Sequence, residues 1–87
     1  MPHLLATLKN VPIEIIKDVL EKDKDFHKSQ GMHLEYLWQN ADDENEVMFL
    51  FQIDNIENAK TLIYKLHSET LAQNPDANLP TMTYLAD

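Results

Sequence analysis

Met32-His33-Leu34-Glu35-Tyr36-Leu37-Trp38-Gln39 and, six residues on, Glu46-Val47-Met48-Phe49-Leu50-Phe51-Gln52-Ile53 are the stretches that decide the fold. Aliphatic and aromatic residues crowd both, which is strand composition. The connecting segment, Asn40-Ala41-Asp42-Asp43-Glu44-Asn45, is polar and reads as a loop, so the two strands should form an antiparallel hairpin. Pairing Gln39 with Glu46 sets Trp38 against Val47, Tyr36 against Phe49, Leu34 against Phe51 and Met32 against Ile53. Side chains alternate between faces, so these eight share one face and should form the core under the helices. His33, Glu35 and Leu37 then share the opposite face with Met48, Leu50 and Gln52. A bulge in either strand would exchange part of this assignment.

Upstream, Leu4-Leu5-Ala6-Thr7-Leu8 is a short apolar run closed by Asn10-Val11-Pro12. Proline favours extended backbone before it and tolerates a first helical turn, so a helix should begin near residue 12. Ile13, Ile16, Val19 and Leu20 supply its apolar stripe, Phe26 anchors the charged continuation, and Gly31, the one glycine, marks the stop. Downstream, Asp54 and Glu57 resemble a capping box. Ala59, Leu62, Ile63, Leu66 and Thr70 follow as the stripe of a second helix. Asn74-Pro75-Asp76 ends that helix, and Pro80 leads into a last strand over Thr81 to Leu85.

The order strand, helix, strand, strand, helix, strand predicts one α+β domain over residues 1–87. The ferredoxin-like β-α-β-β-α-β arrangement fits, with a four-stranded antiparallel sheet and two helices on one face. The other face is then bare, and Leu37, Met48 and Leu50 break the polar pattern expected of a wetted sheet. A contiguous apolar patch of this kind marks an interaction surface, and the simplest cover is the same face of a second copy. His3, Leu5 and Thr7, or else Leu4, Ala6 and Leu8, would join it.

In element order and hydrophobic layout the chain resembles the dimeric α+β-barrel proteins. These include antibiotic-biosynthesis-type monooxygenases and many small bacterial proteins. The likeness is carried by Met32 to Trp38, by Val47 to Asp54, and by the run Asp54-Asn55-Ile56-Glu57-Asn58-Ala59 between strand and helix. It implies a homodimer with two sheets face to face around a small barrel. It implies no one activity, because that group is functionally mixed, and no catalytic signature carries over.

Composition narrows the function by exclusion. Seven lysines, no arginine and fifteen carboxylates give a net charge of -8. Such a field repels polyphosphates, so nucleic acid and anionic membrane surfaces are poor partners. Without cysteine there is no disulfide, thiolate metal site or cysteine nucleophile. One glycine allows no glycine-rich phosphate loop, and Ser29 and Ser68 lack a nucleophile-elbow context. No run suits a signal peptide or a membrane span, and a cytoplasmic location is the default expectation.

The chemistry-bearing candidates are His33, Glu35 and Gln52. A histidine exchanges protons near neutral pH, and a carboxylate beside it can orient the ring. No two histidines have metal-ligand spacing, so neither a metal nor a cofactor is expected. Tyr36 and Trp38 read as core residues by their partnership with Phe49 and Phe51. Two functions stay open. One is a homodimer that binds a small molecule or a protein partner. The other is a cofactor-independent monooxygenase or isomerase, sited between sheet and helices, with His33 as proton acceptor and Glu35 or Gln52 orienting it.

Overall fold

A computed structural model describes residues 1–87. Strands β1 (His3–Lys9), β2 (Met32–Asn40), β3 (Asp43–Ile53) and β4 (Thr81–Leu85) form one antiparallel sheet in the order β2-β3-β1-β4. Helices α1 (Ile13–Lys22) and α2 (Lys24–Ser29) connect β1 to β2, and α3 (Ile56–Gln73) connects β3 to β4. The molecule is α+β and compatible with a ferredoxin-like fold. No helix is long and apolar enough to cross a membrane.

One face of the sheet carries the core. Leu4, Ala6 and Leu8 of β1 alternate with half-buried neighbours, and Val47, Phe49, Phe51 and Ile53 of β3 do the same. Ile16 and Leu20 of α1 and Ala59 of α3 close over them, and nothing polar is buried. Leu4, Val47 and Ile53 are the largest side chains fully enclosed in this layer.

The first helical stretch is broken into two. Asp23 leaves helical geometry, its N–H still bonded back to the Val19 carbonyl, and α2 restarts after it at Lys24. Gly31 ends the stretch with φ at +73°, and its carbonyl accepts from the Asp54 N–H at 3.0 Å. A left-handed backbone there suits glycine. The start of α3 lies one residue beyond its expected place: the N-cap is Asn55, whose Oδ1 accepts from Asn58 N–H at 2.9 Å.

The hairpin differs from its sequence reading in two ways. Its turn is only Ala41–Asp42, because the ladder extends to an Asn40–Asp43 pair. Asn40 Oδ1 accepts from Asp42 N–H and Asp43 Oδ1 from Asn45 N–H, so the polar side chains turn the chain instead of leaving it a loose loop. The second difference is a bulge at Glu35. Leu34 pairs with Phe51 but Tyr36 pairs with Leu50, so Glu35 is an extra residue. Every side chain beyond it changes face. Leu37, expected on the open face, lies opposite Phe49 and packs against the core. Tyr36 and Trp38, expected in the core, stand on the open face at 56% and 45% exposure. There their hydroxyl and indole N–H reach water without needing a buried partner.

Candidate functional site

Two regions hold the chemistry. The first is a cleft of about 540 Å³ between α1, α2 and the outer part of the sheet. It exists because β2 is an edge strand that the short helices only partly cover. Leu34 points to the helix side yet stays 44% exposed at its lip. Leu20, Met32, Leu37 and Phe51 form the rest of an apolar floor, and His27 stands in the wall. Around the rim are Lys17, Lys24 and Lys28, with Asp18 and Glu21 among them. Burial pushes the His27 imidazole below its ordinary range, with the Asp23 carboxylate opposing part of that change. A half-buried, neutral imidazole in a wall of this kind can donate one hydrogen bond and accept another.

The second region is the open sheet face. Its centre is apolar: Met48 and Leu50 are the cross-strand neighbours of Trp38 and Tyr36, Leu5 lies beyond Leu50, and the two aromatic rings stack 5.0 Å apart and 8° from parallel. One end is polar through His3, Glu35, His33 and Gln52, and the other through Lys9, Glu46 and Asn40. The carboxylates at both ends have partners within the chain. His3 Nε2 donates to Glu35 Oε1 at 2.7 Å, and Lys9 Nζ lies 3.8 Å from Glu46 Oε2, which shares its carboxylate with the Asn40 amide.

The three residues singled out from sequence are only partly assembled. His33 and Gln52 are direct cross-strand partners. Glu35, displaced by the bulge, reaches over β3 to His3, while His33 has Asp54 Oδ1 at 3.6 Å and lines the mouth of the cleft. The sequence reading missed the cleft's lysines and did not single out His27. The one signal for them is the four-residue spacing of Lys24 and Lys28, which places both on one face of α2.

A third, shallower groove runs between α3 and β4. There the Lys60 ammonium lies 5.4 Å from the Tyr84 ring centre, and burial lowers the His67 pKa and raises that of Tyr84. No three histidine, aspartate or glutamate side chains gather into a group that could hold a metal ion. No protein-family model matches the chain, and no curated protein matches it either.

Proposed function

We propose that the protein is a homodimer that binds a small molecule, one in the helix–sheet cleft of each copy. The observation that carries the binding reading is the cleft itself. Its volume, about 540 Å³, falls in the range of ligand sites, and an apolar floor under a few convergent polar groups is their usual lining.

Pairing rests on the open face. Its apolar centre and polar ends match the layout of a protein interface, which has a dry core and a wet rim. With four strands ~4.8 Å apart and a ladder of about seven residues at ~3.3 Å each, the face spans roughly 450 Å² before side-chain relief, the scale of a small interface. Glu35 and Glu46, the carboxylates at the two ends of the face, have His3 and Lys9 as partners within the chain, which lessens the repulsion between two copies of net charge -8. The strand order supports the ferredoxin-like reading, and face-to-face pairing would give a barrel of the dimeric α+β type.

Light scattering on a sizing column, with amide NMR of a fragment titration, tests both parts. The expected result is a mass near twice 10.1 kDa and shifts confined to residues around Leu34, Leu37 and His27. A 10.1 kDa species would remove the dimer. A fragment set that leaves those amides unmoved would remove the binding site.

A second reading, cofactor-independent acid–base catalysis, is favoured by the neutral His27 in the cleft wall and by His33 at its mouth. Its test is any turnover that survives His33→Ala and is lost in His27→Ala, or the reverse.

A further inference from the structure

The cleft is an island of the wrong charge. Three of the seven lysines line it against two of the fifteen carboxylates, so its lining carries +1 in a chain of net charge -8. Lys24 and Lys28 project from one face of α2, and Lys17 adds a third ammonium from α1. None of the three has a carboxylate within 4.0 Å, although carboxylates outnumber lysines two to one along the chain. Beneath them the floor is apolar: Leu20, Leu34, Leu37 and Phe51 offer surface with no hydrogen-bonding demand.

From this juxtaposition we infer that the cleft takes an amphipathic carboxylate, an aliphatic or aromatic body seated on Leu34, Leu37 and Phe51 with its carboxylate at the lysine rim. The inference rests on the cleft being a binding site, and adds the class of ligand. Burying the body removes apolar surface from water, while the head group stays at the rim and needs little desolvation. Three flexible ammonium groups suit a point-like anionic head at variable depth; a planar bidentate grip would call for arginine. His27, kept neutral by its burial, adds a hydrogen-bond donor beneath the lysines. The negative field elsewhere on the molecule repels anions, so the rim also directs where a carboxylate settles.

The test compares three probes of equal chain length, octanoate, octan-1-ol and octylammonium, by amide NMR titration of the full chain. Octanoate is expected to bind tightest and octylammonium weakest, all shifts centring on Leu34 and Leu37. Lys24→Gln with Lys28→Gln should weaken octanoate by about 2–5-fold per ammonium removed and leave octanol unchanged. Both lysines are exposed, so the variant is expected to fold, and an unchanged amide spectrum checks that. Equal affinity for octanoate and octanol, or a preference for octylammonium, would overturn the carboxylate assignment while the binding site stands. No shift from any probe would overturn both.

Discussion

His27 on α2 meets Phe51 on β3 ring edge to ring face, with centroids 5.0 Å apart and planes 69° from parallel. This contact ties α2 to a central strand of the sheet. It also takes the imidazole partly out of water, which is why its pKa falls below the ordinary 6.5.

A pH dependence of stability follows from that contact. Below pH 6.5 the unfolded chain protonates His27 before the folded chain does, so the unfolded state binds more protons and stability falls as pH falls. The contribution is complete above 6.5 and is lost as pH descends toward the lowered folded value. Urea titrations between pH 7.5 and 5 should show a steeper acid loss for the natural chain than for His27→Gln. His67, also lowered by burial, keeps a share of the slope in that variant. Equal slopes would mean that His27 titrates alike folded and unfolded.

The bulge makes opposite predictions for adjacent residues. Trp38→Glu puts a carboxylate in the centre of the open face and, if the proposed dimer forms there, should shift its native mass toward 10.1 kDa with little change in intrinsic stability. Leu37→Ala removes a core-side contact and should cost about 1–3 kcal/mol in denaturant while leaving the native mass unchanged. Reversed outcomes would return Leu37 to the open face.

The start of α3 separates two neighbouring acceptors. Asn55→Ala loses the bond to the Asn58 N–H and should destabilise by about 1 kcal/mol. Asp54→Ala should cost distinctly less, since its side chain makes only the longer approach to His33. Thermal melts of the two variants decide between them.

Gly31 has two reasons to stay glycine. Its φ is +73°, and an added Cβ would lie 2.8 Å from Asp54 Oδ2. Gly31→Ala should therefore destabilise by about 1–2 kcal/mol, read by chemical denaturation. The Asp54 side chain is exposed and free to swing aside, so the backbone strain should remain in Gly31→Ala with Asp54→Ala.

Element order, the α+β class and the buried face of β3 were legible because each rests on periodicity or on punctuation by proline and glycine. Val47, Phe49, Phe51 and Ile53 alternate cleanly, and they are buried as that alternation requires. The faces of Tyr36, Leu37 and Trp38 were not legible. Their pattern favours the even-numbered residues inward along all of β2, and nothing local marks Glu35 as an insertion. A bulge depends on how two strands accommodate twist together, which one strand's composition does not encode. The cap at Asn55 was hidden by its neighbour, since Asp54 and Asn55 are both good N-caps. The cleft was illegible for another reason. It is a space left by two short helices over an edge strand, and its lysines come from separate helices.

The displaced Glu35 also has a consequence for what the sheet refuses. β2 and β4 are its two rims, and the unpaired backbone groups of an edge strand are a template for another chain's strand. β4 is five residues long and preceded by Pro80, which leaves little to template. β2 is nine residues long and is the greater hazard, but the irregularity at Glu35 interrupts its straight run and adds twist there. An incoming strand would lose register midway. Growth by addition at the rims, the route to fibrils, is thereby disfavoured, and the sheet is left with its open face, not its edges, as the surface for contact with other chains.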